Sequence, residues 1–277
     1  MSKEIPETPT IARRFLACTQ SRGGIGKTTF AEALISWLNF ARVPYGAMDA
    51  DPQNQTLSRR YPNEVHLFDA TKTKADFLRL MMALPDDPVI LVDFPAQATD
   101  TLLEYAEHYG LSDFFEKRGI RPTLIIFGAD DPAVKLSGSD TVKFFLDRAD
   151  YVLVENPGKF DSNVFKSTPL FKWLIDHGTP TVRLPAIAAP TIDAWEALER
   201  KESCYLSLDK ASKHEGMHEL SRYELQFFRD RMLTQLEDIA DRLLPDVSLI
   251  KNKVARLPTT KRREKSDLLK DSWLQTK

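Results

Sequence analysis

Short apolar runs alternate with longer amphipathic stretches over the first two thirds of the chain. Residues 14–19 (RFLACT) form an apolar run that ends at a glycine-rich turn. Residues 28–40 follow, with Phe30, Leu34, Trp37 and Leu38 at helical spacing. The alternation continues with predicted strands at 45–49, 89–92, 123–127, 151–154 and 181–184. Predicted helices at 74–84, 101–117, 142–148 and 171–177 lie between them, and Pro85 and Gly119 close two of these. Brief aliphatic and β-branched runs between helices suit strands buried on both faces. The pattern predicts an α/β fold: a doubly wound, mostly parallel sheet of about seven strands with helices on both faces.

The pattern changes after the turn-rich segment 185–190 (PAIAAP), where it becomes helical only. Leu225, Phe228, Met232, Leu236, Ile239 and Leu243 recur in steps of three and four and make one apolar stripe. The opposite face mixes Arg229, Asp230, Glu237, Asp238 and Asp241, whereas a membrane-surface helix favours a basic polar face. The stripe is therefore expected to pack on the body or on a partner. The expected organisation is a flexible N-terminus at 1–11, a nucleotide-binding α/β domain at 12–200, a helical extension at 201–250 and a tail at 251–277 that does not fold alone.

Composition sharpens this picture in two ways. Hydrophobic residues at 42% and charged residues at 28% are ordinary values for a globular chain. No run approaches the ~18 apolar residues of a membrane span, and MSKEIPETPT lacks the apolar core of a signal peptide. With only Cys18 and Cys204, a reducing cytoplasmic compartment is expected. The net charge of -2 conceals an asymmetry: residues 251–277 carry nine basic and three acidic residues, which leaves residues 1–250 acidic. Such a basic tail points to an anionic partner, and Lys261, Arg262 and Arg263 could neutralise nucleic-acid phosphates.

The segment Ser21-Arg22-Gly23-Gly24-Ile25-Gly26-Lys27-Thr28-Thr29 joins the first predicted strand to the first predicted helix. That context defines a phosphate loop. Its glycines let backbone N–H groups approach phosphate oxygens, and the following helix directs its positive end at the anion. Lys27 would bridge the outer phosphates of ATP, and the Thr28 hydroxyl would ligate Mg²⁺. Asp93 ends the apolar run 89–92, and a carboxylate at a strand tip can hold Mg²⁺ directly or through water. Asp49 and Asp51 stand two residues apart where the second strand ends, the edge at which open α/β sheets bind ligands. The pair also suits a turn capped by a carboxylate before Pro52.

Ser21 replaces the first glycine of the common phosphate loop, and a basic residue precedes the glycine pair. The run Arg22-Gly23-Gly24-Ile25-Gly26-Lys27-Thr28-Thr29, the segment Asp49-Ala50-Asp51-Pro52-Gln53 and the strand-end Asp93 together resemble the deviant Walker ATPases of the ParA/MinD type. The resemblance implies a slow ATP hydrolase and a nucleotide-dependent homodimer. It also implies DNA or a DNA-bound adaptor as partner. By the same resemblance, Asp51 orients the attacking water, Asp49 lies near the Mg²⁺ hydration shell, and Arg22 takes the place of a lysine that reaches the other subunit's phosphates. Arg22 is equally a solvated charge at the loop entrance. Asn156, in Glu155-Asn156-Pro157-Gly158, resembles the asparagine beside adenine, and Pro185, in Leu184-Pro185-Ala186, the element flanking the base. Asn156 also suits a plain turn.

The overall layout is most similar to plasmid transfer and stability ATPases such as TraL and StbB. That implies partition or conjugal transfer of mobile DNA. The alternative of another class is a metabolic ATP-dependent ligase of the dethiobiotin synthetase type, which shares the fold. The basic-Gly-Gly run and D-A-D-P-Q favour the ATPase.

Overall fold

In a computed structural model, described for residues 11–69, 73–96 and 98–246, seven strands form one parallel sheet. They are β1 (Arg13–Cys18), β2 (Tyr45–Asp49), β3 (Val65–Leu67), β4 (Val89–Asp93), β5 (Ile120–Gly128), β6 (Asp150–Glu155) and β7 (Thr181–Arg183). Their order across the sheet is β3-β2-β4-β1-β5-β6-β7, and every pairing is parallel. From β1 the chain passes to β2 and the edge strand β3, returns with β4 between β2 and β1, and then crosses to build β5, β6 and β7 outward on the other side. The loop after β1 therefore sits where the strand order reverses, the place where open α/β sheets bind ligands.

The helices of the first half are α1 (Lys27–Ala41), α2 (Thr56–Arg60), α3 (Lys74–Met82), α4 (Thr99–His108) and α5 (Leu111–Lys117). Then come α6 (Pro132–Phe145), α7 (Pro169–Asp176), α8 (Ala189–Glu202), α9 (Leu208–Ala211), α10 (Glu219–Asp238) and α11 (Ala240–Leu243).

Strand alternation splits the interior into two cores. Leu16, Cys18, Val89 and Leu91 face one side, against Phe30, Leu34 and Trp37 of α1 and Leu225, Phe228, Met232 and Leu236 of α10. Phe15, Ala17, Ile90 and Val92 face the other, against Phe77 of α3, Phe115 of α5, Val142 of α6 and Leu174 of α7. Because both faces are covered, the strand sequences read as unbroken apolar runs. The whole 225–243 stripe is buried, so it packs on the body.

Some elements differ from expectation. The predicted helix 101–117 is two helices, because Gly110 adopts a left-handed φ of 59° between α4 and α5. The predicted helix 142–148 starts at Pro132, where the Asp131 carboxylate accepts from the N–H groups of Ala133 and Val134. Strand β3 and helix α2 were not anticipated. The expectations for residues 1–10 and 251–277 lie outside the described residues.

Candidate functional site

Strand register brings the predicted carboxylates together. Cys18 on β1 pairs with Asp93 on β4, and Asp93 with Asp49 on β2, so the two acids stand at neighbouring strand tips. Both are buried. The phosphate loop leaves the same edge from β1 and enters α1 at Lys27.

The loop depends on its glycines. Gly24 has φ of +70° and Gly26 φ of +113°, conformations that side chains with a Cβ rarely adopt. A Cβ on Gly26 would also lie 2.8 Å from Asn156 Nδ2 and 3.0 Å from Leu184 Cδ1. A Cβ on Gly23 would meet Ala96 Cβ at an ordinary 3.9 Å, and Ile25 is buried. Thr29 is exposed in the first turn of α1.

The ammonium of Lys27 is folded onto the loop. Its Nζ donates to Gln20 O at 3.1 Å and to Arg22 O at 2.9 Å. Burial lowers the Lys27 pKa, and nearby Asp93 works against that shift. The Thr28 hydroxyl donates to Asp93 Oδ2 at 2.7 Å. The other oxygen, Asp93 Oδ1, is buried without a hydrogen-bond partner. The Asp93 carboxyl is pushed up to about 7: burial raises it most, the Thr28 hydrogen bond and Lys27 lower it, and Asp49 and Asp51 raise it. A buried carboxylate oxygen without a donor is costly and suits a cation. Thr28 and Asp93 could therefore help to hold a hard divalent ion. Among the described residues no cluster of three or more His, Cys, Asp or Glu could hold a metal unaided.

Asp49 and Asp51 are engaged by the chain itself. Asp49 Oδ1 accepts from Asp51 N at 3.0 Å, and Oδ2 accepts from Ser58 N and Ser58 Oγ, each at 3.0 Å. Asp51 accepts from Gln53 N, Asn54 N and Asn54 Nδ2, which is the capped turn its sequence also suited. Arg22 is half exposed, with Nε 3.4 Å from Asp131 Oδ2, the carboxylate that caps α6. Asn156 donates through Nδ2 to Ile25 O at 2.9 Å and so braces the loop. Pro185 is half-buried directly after Leu184, whose N–H donates to Glu155 O. Both segments thus adjoin the loop.

Sequence reasoning missed Gln20. It is fully buried with φ of 65°. Its amide donates to Phe127 O and Val134 O and accepts from Phe127 N, which anchors the start of the loop to β5 and α6. Ser137 adds a bond from Ser21 N at 3.3 Å. A polar residue between an apolar strand and the glycines was the available clue.

No protein-family model matches the chain, and no curated protein does. Solved structures align along most of it. The septum site-determining protein MinD of Pyrococcus horikoshii, complexed with Mg-ADP, is 13% identical over 87% of this chain and 100% of its own, with a TM-score of 0.47. The MinC:MinD complex of Aquifex aeolicus aligns at 12% identity over 84% of this chain and 98% of that one, with a TM-score of 0.47. A ParA family ATPase from Chlorobium tepidum aligns at 14% identity over 78% and 98%, with a TM-score of 0.39. At such identities and scores these likenesses carry no functional argument, which must come from this chain's own side chains.

Proposed function

We propose that this chain is a magnesium-dependent ATPase that works as a switch, with the triphosphate held by residues 21–29 and the metal by Thr28 and Asp93. The observation that carries the reading is the buried, unpartnered Asp93 Oδ1 beside the Thr28 hydroxyl at the entrance to α1. Lys27 releases the carbonyls of Gln20 and Arg22 and donates to phosphate oxygens. The backbone N–H groups of Gly23, Gly24, Ile25 and Gly26 complete the anion cradle, and Thr28 and Thr29 stand at its helical rim. Magnesium supplies charge for the phosphates and a fixed orientation for them. Asp51 would orient the attacking water, and Asp49, through its bonds from Asp51 N and Ser58, would hold the turn in place. Arg22 leaves Asp131 to reach phosphates, including those of a second subunit. Asn156 and Pro185 border the space open to the base.

In the proposed cycle ATP closes a homodimer, the closed form engages DNA or a DNA-bound adaptor, and slow hydrolysis resets it. Partition or conjugal transfer of mobile DNA is the process such a switch would serve. Two measurements test the reading: the size of the particle with and without Mg-ATP, and ATP turnover with and without DNA. Nucleotide-dependent dimerisation and slow, DNA-stimulated turnover are expected. A monomer under all conditions, or fast turnover that requires a small metabolite, contradicts it.

A further inference from the structure

Helix α2 is five residues long. So short a helix has no stability of its own, since even isolated helices of about a dozen residues are marginal in water. Yet it carries Ser58, whose N–H and hydroxyl hold Asp49, and it follows directly on the turn built by Asp51. Its position must therefore be set from outside.

Two residues do this. Leu57 is fully buried. Arg60 reaches inward between α1 and α8, with 15% of its side chain exposed. Its Nη1 donates to Glu32 Oε1 at 2.7 Å, on the helix that begins at the phosphate loop. Its Nε and Nη2 donate to the two carboxylate oxygens of Glu199 at 3.1 and 3.4 Å. The guanidinium lies 4.1 Å from the centre of the Trp195 ring. The Glu199 carboxylate also accepts from Leu206 N at 2.9 Å, which ties that end of the cluster to backbone. Only a planar, permanently charged fork can serve two carboxylates and a ring at once.

We infer that Arg60 is a positioning residue: by locking α2 to α1 and α8 it fixes the turn that carries Asp49 and Asp51. In its catalytic half this rests on the proposed ATPase function. In its structural half it does not.

Native-state hydrogen exchange on the nucleotide-free protein tests the structural half. In Arg60→Met, the amides of Asp51 and Ser58, which donate to Asp49, should exchange about tenfold faster or more, while amides of β1, β4 and β5 keep their wild-type rates. Arg60→Lys, which keeps the charge and loses the fork, should fall between. Unchanged rates at Asp51 and Ser58 overturn the inference, and so does uniform acceleration across the sheet. Should Arg60→Met fail to fold, Glu199→Gln is measured instead: a smaller acceleration at the same two amides supports the inference, and none overturns it.

Steady-state kinetics with Mg-ATP test the catalytic half. Arg60→Met should lower kcat about tenfold with KM within about twofold of wild type, because the misplaced groups act on the reaction more than on binding. A loss confined to KM, or no loss, overturns the positioning role in catalysis. A wild type that neither binds nor hydrolyses ATP overturns the proposed function and the catalytic half with it, while the exchange rates still decide whether Arg60 sets the turn.

Discussion

The two ends of the parallel sheet treat their buried polar groups in opposite ways. At the amino end of the strands Arg14 is fully committed. Its Nε donates to Leu244 O at 2.8 Å and its Nη2 to Asp241 O at 2.7 Å, while Nη1 reaches Thr123 Oγ1 and the Asp150 carboxylate. Asp150 also accepts from Arg121 and Arg242, and the Thr123 hydroxyl donates to Arg242 O. This cluster clamps the end of the helical extension to β1, β5 and β6. At the carboxyl end the accounts are open. Asp93 Oδ1, Thr19 Oγ1 and Thr99 Oγ1 are buried without hydrogen-bond partners. Gln20 and Gly26 hold left-handed backbone. Lys27 rests on loop carbonyls. Satisfied groups hold a fold together, whereas unsatisfied and strained ones mark a place built for something else to bind. The amino end of the strands is thus tied together by satisfied bonds, while the carboxyl end is the one at which the proposed ligand site lies.

The largest effect expected from breaking this division is at the clamp. Arg14→Leu leaves Asp150 and the α11 carbonyls without their central donor and should cost about 3–5 kcal/mol in urea unfolding. Mg-ATP affinity of the molecules that remain folded should not change. At the other end of the strands, Lys27→Ala removes the ammonium that rests on the loop carbonyls and is proposed to donate to phosphate. It should weaken Mg-ATP by about 100-fold in calorimetry with little change in unfolding midpoint.

Gly26→Ala blurs the contrast, because it adds a Cβ both at φ of +113° and against Asn156 and Leu184. It should cost about 1–3 kcal/mol of stability and also weaken nucleotide. The smallest effect is a pH dependence. Burial raises the Asp150 pKa, but Arg14 and Arg121 outweigh it, so its folded-state value lies below the ordinary one. Its stabilisation is then present above the ordinary carboxylate range, about 4, and is lost as pH falls through the lower folded-state value. The stability gap between wild type and Asp150→Asn should be full at neutral pH and shrink progressively in acid. A constant gap would remove Asp150 from the clamp.

The site edge was more legible in the sequence than the clamp. Apolar runs ending in Asp49 and Asp93, and a glycine loop between strand and helix, are local patterns, and parallel register makes them neighbours. Arg14 reads only as a basic residue opening the first apolar run, because its partners lie up to 230 positions away. Strand β3 escaped notice because it spans three residues at the sheet edge, with His66 and Leu67 exposed. The start of α6 was hidden for another reason. Its buried face uses Ser137, Gly138 and Thr141, and the two hydroxyls bond back to helix carbonyls, so no apolar period appears. In the sequence Asn156 reads either as an asparagine beside the base or as part of a plain turn, and its bond to Ile25 O is visible only in the fold.

The account turns on one property, that residues 21–29 and Asp93 take up a nucleotide with its metal. Isothermal calorimetry with ATP, with and without Mg²⁺, on the wild type, Lys27→Ala and Asp93→Asn measures it directly. Saturable uptake of ATP by the wild type that strengthens with Mg²⁺ is expected, with uptake about 100-fold weaker in Lys27→Ala and loss of the Mg²⁺ dependence in Asp93→Asn. No uptake by the wild type, or equal uptake by all three proteins, would contradict it.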